Sequence, residues 1–190
     1  MAVDRRKMII EAANQSFALF GYKATTMDLV SKTANVGKGT IYTFFQTKED
    51  LFREVMGMFL TEMKAEAEDA IDPDQPFIEN VHSLIYRLLK FRSTHQLTAK
   101  LLFEAKEIGT PAVLEAIDET EKGILNFVSE KVSKAIHNKE IRECDPEMTA
   151  FILLKLYMAF IFDWEKNHQP LPKEKIAELF ELYLYKGLSI

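Results

Sequence analysis

The stretch FALFGYKATTMDLVSKTANVGKGTIYTFFQTKEDLF, from Phe17 to Phe52, decides how this chain folds. Leading into it, Ile9, Ala13, Phe17 and Phe20 recur at helical spacing and predict a helix from about Asp4 to Phe20 that buries all four. Gly21 ends that helix, because the residue after a helix often needs a positive φ. Thr25 and Asp28 stand at capping-box spacing and open a short helix through Leu29, Val30 and Ala34. Ala34-Asn35-Val36-Gly37 reads as a tight turn in which Asn35 tolerates left-handed backbone and Val36 is an apolar plug. A second short helix, roughly Lys38 to Phe45, places Ile41 and Phe45 in the core. Thr47 and Asp50 repeat the capping spacing and start a long helix through Leu51, Val55, Phe59 and Met63.

Outward from this stretch the chain reads as helical throughout. All six prolines lie beyond residue 72. Between them run three stripes of apolar residues at three- and four-residue spacing. One holds Phe77, Val81, Leu84, Ile85, Leu88 and Leu89; the second holds Val113, Ile117, Ile124, Val128, Val132 and Ile136; the third holds Ile176, Leu179, Phe180, Tyr183 and Leu184. No segment alternates with period two between turn residues, so no sheet is expected. Helix, short turn, helix is the arrangement that lays a second helix in a DNA major groove.

Over roughly 35 residues the opening stretch resembles the DNA-binding domain of the TetR family of transcription regulators. The resemblance rests on Phe20, Gly21, Thr25-Thr26, Leu29-Val30, Ala34-Asn35-Val36, Gly39-Thr40-Ile41-Tyr42, Phe45 and Lys48-Glu49-Asp50-Leu51. Asn35 replaces the usual glycine of the turn, and Phe44 departs from the polar or histidine-like residue common there. The remaining chain is similar to the family in length and helicity only. The resemblance implies an all-α fold with an N-terminal helix-turn-helix DNA-binding domain, residues 1–47, and a larger helical effector-binding and dimerisation domain, residues 48–190.

The residue types suit this chemistry. A recognition helix comes close to the duplex, so its first turn needs small residues, which Gly39 and Thr40 supply. Glycine inside a helix costs about 1 kcal/mol relative to alanine, and close approach is a reason to keep it. Lys38 can reach a guanine edge or a phosphate, and Thr40 and Thr43 can meet base edges through hydroxyl or methyl. Tyr42 can donate its hydroxyl to a phosphate. Thr26 and Lys48, each near a helix start, sit where free amides and the helix dipole attract an anion. Lys38, Thr40 and Thr43 are therefore the expected base readers, with Tyr42, Thr26 and Lys48 gripping the backbone. Two structural alternatives stay open: Tyr42 as a half-buried packing ring, and Lys48 as an ordinary surface lysine.

Charge distribution agrees. The net charge is −5, but residues 1–50 carry seven basic and five acidic side chains and are net +2, leaving −7 for the rest. The longest apolar run, Leu156 to Phe162, is too short to cross a bilayer. The N-terminus lacks the apolar region of a signal peptide, and the single Cys144 excludes an intrachain disulfide. A cytoplasmic protein with no membrane association is expected. The histidines lack metal-ligand spacing, and no nucleophile-base pair or phosphate loop appears, so neither an enzyme nor a cofactor or metal site is expected.

For the body, the resemblance implies a homodimer through the last two helices. Met148 to Trp164 (MTAFILLKLYMAFIFDW) is apolar on nearly all sides, as expected if one face packs inward and another meets a partner, or if the helix is fully buried. Fourteen phenylalanines and eight methionines suit an adaptable apolar pocket for a small effector of unknown identity. Candidate lining residues are Phe59, Met63, Tyr86, Phe103, Phe127, Met158 and Phe162, with Arg92, Glu104 and Asp163 as candidate buried polar groups. The function expected is a dimeric, ligand-responsive repressor released from double-stranded operator DNA, its effector moving the long helix from Lys48. The competing reading is a DNA-bound architectural or scaffolding protein of the same fold without a small effector.

Overall fold

A computed structural model describes residues 4–92 and 96–185, and the described residues are helical with no strands. Among the described residues nine α-helices follow one another: α1 Arg5–Ala24, α2 Met27–Thr33, α3 Lys38–Phe44, α4 Lys48–Asp69, α5 Phe77–Arg92, α6 Gln96–Glu107, α7 Pro111–His137, α8 Pro146–Met158 and α9 Lys173–Phe180. A π-helical turn continues α8 over Ala159–Asp163, and another continues α9 over Glu181–Tyr185.

The helices form two compact units. The first holds α1, α2, α3, α4 as far as Thr61, α6, and α7 as far as Glu121. Its interior is built from Ile9, Ala13, Phe17, Val30, Ile41, Phe45, Leu51, Phe52, Val55, Leu101 and Val113, all buried. Phe17, Tyr22 and Phe52 meet as an aromatic trio, with Phe52 5.0 Å from Phe17 and 4.7 Å from Tyr22 between ring centres. Such pairs add about 0.5–1.5 kcal/mol beyond the area they bury. α6 packs along α1, although more than seventy residues separate them in sequence.

The second unit holds the rest of α4 and α7 with α5, α8 and α9. Ile85, Ile161, Ile176 and Phe180 form one buried cluster, joined by Val81, Leu89, Leu153, Leu156 and Phe162. Val132, Ala135 and Ile141 form another. The end of α4 is tied within this unit by ion pairs, Glu66 and Asp69 to Arg87 and Glu68 to Lys131. Such exposed pairs contribute about 0–1 kcal/mol each.

The apolar stripe near the C-terminus divides. Ile176 and Phe180 belong to the unit's own core, and Tyr183 is exposed. On α8, Thr149 and Ala150 are buried while Met148, Phe151 and Ile152 are exposed. The helix is apolar on two sides, and among the described residues the side of Met148, Phe151 and Ile152 stays exposed.

Candidate nucleic-acid interface

α1 is capped by Asp4, whose carboxylate accepts from the Lys7 amide at 3.1 Å. Its helical path breaks at Gly21, where φ is +81°. This break explains a departure from the expected pattern. Phe20, predicted to be buried, is 51 % exposed, and Tyr22 takes the core place instead, stacked 5.9 Å from Phe17. Backbone at positive φ turns the chain back after Phe20, so helical spacing stops predicting which side chain faces inward.

The second departure is one residue wide. α2 is capped by Thr26, whose hydroxyl oxygen accepts from the Leu29 amide at 3.1 Å, and not by Thr25. Thr25 is buried, and its hydroxyl is engaged with the carbonyls of Gly21 at 2.7 Å and Ser16 at 3.1 Å. Asp28 is correspondingly free of the cap and pairs with Lys32 at 2.8 Å. Lys32, and more weakly Lys38, hold the Asp28 carboxyl below its usual range.

The turn forms at the expected place. Asn35 adopts φ +52°, and the Val36 amide returns to the Ser31 carbonyl at 2.9 Å. α3 then begins at Lys38 and buries Ile41 and Phe45 on one side. Thr47 and Asp50 make the reciprocal capping box that their spacing predicts, Asp50 N to Thr47 Oγ1 at 3.0 Å and Thr47 N to Asp50 Oδ2 at 3.1 Å.

α3 presents the predicted site residues together. Lys38, Gly39, Tyr42 and Thr43 are exposed and Thr40 is half-buried. Lys38 makes no ion pair among the described residues, and Tyr42, 45 % exposed, has no hydrogen-bond partner among them. Thr43 donates its hydroxyl to the Thr40 carbonyl at 2.7 Å, so its oxygen lone pairs and methyl are what it offers outward. Thr26 is exposed, and capping α2 leaves its hydroxyl proton available.

A side chain built at Gly39 would meet nothing within 4 Å. Nothing inside the chain therefore requires glycine there. Gly39→Ala is expected to raise stability by up to about 1 kcal/mol while weakening DNA binding, seen as a higher denaturation midpoint beside a poorer mobility shift. Unchanged DNA affinity would remove close approach as the reason for the glycine.

Lys48 is a clamp. Its ammonium donates to the carbonyls of Tyr22 at 3.0 Å and Thr25 at 3.1 Å and lies 4.2 Å from the centre of the Tyr22 ring. It thereby fastens the start of α4 to the junction of α1 and α2, leaving one N–H for an anion. Beside it, the Tyr22 hydroxyl donates to Glu49 Oε1 at 2.6 Å. Burial first, and then this bond to Glu49, push the Tyr22 phenol well above its ordinary value of 10.0, and the same bond lowers Glu49. A phenol raised on folding contributes stability below pH about 10 that is lost as pH climbs toward its folded value. Absorbance titration should find a late-ionising tyrosine, and Tyr22→Phe should abolish that step.

Glu104 on α6 completes the junction. It is 3 % exposed, and its carboxylate accepts from the Tyr22 amide at 2.7 Å, the Lys23 amide at 3.0 Å and the Thr110 hydroxyl at 2.9 Å. Glu104 is thus buried, as a candidate polar group of the body, and its partners are backbone amides of Tyr22 and Lys23 and the Thr110 hydroxyl. Of the other two candidate polar groups, Asp163 is exposed and pairs with Lys166, and the Arg92 side chain lies outside the described residues.

The seven residues chosen as pocket lining are spread over the chain. Phe59 and Phe103 lie in the first unit, Phe59 buried and Phe103 60 % exposed. Met63, Tyr86, Phe127, Met158 and Phe162 lie in the second and are half-buried. Phe162 packs on the cluster of Ile85 and Phe180, Tyr86 meets the His82 ring, and Phe127 lies under Lys131.

Residues 9–55 match the model of bacterial regulatory proteins of the tetR family. The chain is 58 % identical over 189 residues to an uncharacterized HTH-type transcriptional regulator, YhgD, of Bacillus subtilis (strain 168), covering 100 % of this chain and 99 % of that one. It is 30 % identical over 166 residues to the fatty acid metabolism regulator protein of the same organism, covering 85 % and 84 % of the two chains. Its fold is similar to that of AibR, solved in complex with isovaleryl coenzyme A and operator DNA, with a TM-score of 0.67 at 22 % identity, covering 94 % of this chain and 97 % of that one.

Proposed function

The chain belongs to the tetR family of bacterial regulatory proteins, and from that premise we propose that it is a dimeric, cytoplasmic repressor that leaves its operator when a small, largely apolar effector binds. The observation that carries the DNA half of this reading is the outward face of α3, where Lys38, Thr40, Tyr42 and Thr43 stand around a glycine that the chain's own packing does not need. We assign base reading to Lys38, Thr40 and Thr43, and backbone gripping to Tyr42, Thr26 and the remaining proton of Lys48. Residues 1–47 act as the reading domain and 48–190 as the responding one.

The effector half is supported by the relatives' names: one regulates fatty acid metabolism, and another was solved with an acyl coenzyme A. Of the seven candidates, Met63, Tyr86, Phe127, Met158 and Phe162, which share the second unit, are the proposed lining. The exposed apolar residues of the last two helices, Met148, Phe151, Ile152, Leu182 and Tyr183, are the proposed seam between protomers. Two protomers bring two recognition helices to half-sites about 34–36 Å apart. An effector with different affinities for two such spacings would shift the protein off the DNA.

Mobility shift on the protein's own promoter region, with and without a fatty acid and, separately, its acyl coenzyme A thioester, tests the whole reading. Release by one of them is expected; unchanged binding with both would leave the architectural alternative. Within the DNA half, Tyr42→Phe should weaken binding to all sequences and lower its salt dependence. Thr40→Ala or Lys38→Ala should relax preference at particular base pairs, by about 1–3 kcal/mol for each good contact. Lys48→Ala should also destabilise the fold, because hydrogen bonds to charged groups contribute about 1.5–3 kcal/mol. If Lys38→Ala weakens all sequences equally, its role as a base reader is wrong.

A further inference from the structure

Phe44 lies on α3 with 43 % of its surface exposed, and among the described residues its ring meets no aromatic or cationic partner. At about 100° per residue, Ile41 and Phe45 mark the buried side of the helix, and Gly39, Thr40 and Thr43 lie opposite. Two rows flank that outward face, each a pair spaced i, i+4. Lys38 and Tyr42 make a polar row; Thr40 and Phe44 make a row that combines a methyl with a phenyl ring. The helix therefore has one flank on which both side chains hydrogen bond and one on which only Thr40 can.

A phenyl ring cannot bond a phosphate. Against the major-groove edges of adenine, guanine or cytosine it would cover donors or acceptors without replacing their water, which costs free energy. The 5-methyl of thymine is the apolar group that those edges offer, and apolar side chains contact it. We propose that Phe44 is a specificity-determining residue that reads the 5-methyl of a thymine, with the Thr40 methyl beside it. The inference rests on α3 being the base-reading helix. It adds a readout by attraction to one methyl and by rejection of uncovered polar edges.

The test uses the full-length chain and a duplex that it selects from a randomised pool. Each thymine in turn is replaced by deoxyuridine, which removes only the 5-methyl. At one thymine position the wild type should lose about fourfold in affinity, the worth of one buried methyl, and Phe44→Ala should be indifferent to that change. Placing 5-methylcytosine, but not cytosine, at the same position should return part of the loss in the wild type alone. Phe44 is exposed, so the variant is expected to keep the wild-type denaturation midpoint. If a duplex is selected but no uracil replacement matters, or the sensitive thymine stays sensitive in Phe44→Ala, this inference is overturned and α3 remains the DNA-reading helix. If no duplex is selected, the DNA-binding reading fails and this one with it.

Discussion

Gly21→Ala is expected to destabilise the protein by about 3–5 kcal/mol, near the upper end of what single substitutions do. Two costs combine. At φ +81° any residue with a Cβ is strained by about 1–3 kcal/mol. The added Cβ would also lie 2.6 Å from Glu104 Oε2, closer than such atoms pack. That carboxylate cannot yield without giving up the amides of Tyr22 and Lys23. Denaturant midpoints, analysed for two-state behaviour, measure the total. A double-mutant cycle with Glu104→Ala separates the parts, since with the carboxylate gone only the backbone strain remains. Full additivity of the two changes would show that the steric conflict is absent.

The second large effect is expected from Glu104 itself. Removing its side chain leaves the buried Tyr22 amide and the Lys23 amide without their acceptor, at about 1–3 kcal/mol for each unsatisfied buried group. Glu104→Ala should cost about 3–5 kcal/mol, within the range for breaking a buried charged network. Glu104→Gln should cost less, because one amide oxygen can still accept while its NH2 confronts a donor. Thr110→Val removes a single donor and should cost about 1 kcal/mol. The ordering Ala, Gln, Thr110→Val in midpoint shift is the checkable result. DNA affinity should fall with the first, because the carbonyl of Tyr22 is also what Lys48 uses to hold the start of α4. Equal stabilities for Glu104→Ala and wild type would mean that α6 does not hold this junction.

These two positions mark where reading the chain stops short. Asn35 at the turn and the reciprocal Thr47–Asp50 cap were legible because each is decided within four residues. Ile41 and Phe45 were legible because a short helix with one buried side leaves little choice. Local rules misplaced the cap of α2 by one residue. Thr25 and Thr26 look alike in sequence, and only the carbonyls waiting at Ser16 and Gly21 choose which one goes inside. Phe20 failed for a related reason, since a single positive φ changed which aromatic faced the core. Lys48 was chosen for its place at a helix start, and its carbonyl partners lie twenty-three and twenty-six residues away.

The sequence by itself determined the helical class, the order of the elements, the turn between α2 and α3, and which residues of α3 face outward. All of these follow from periodicity, caps and backbone preference, which act over one or two turns of chain. Tertiary structure alone decided that α6 joins the first compact unit and that Glu104 closes on amides eighty-one and eighty-two residues upstream. It also decided that Gly21 cannot carry a side chain. A buried carboxylate must find donors wherever packing brings them, and no local pattern records which distant backbone will supply them.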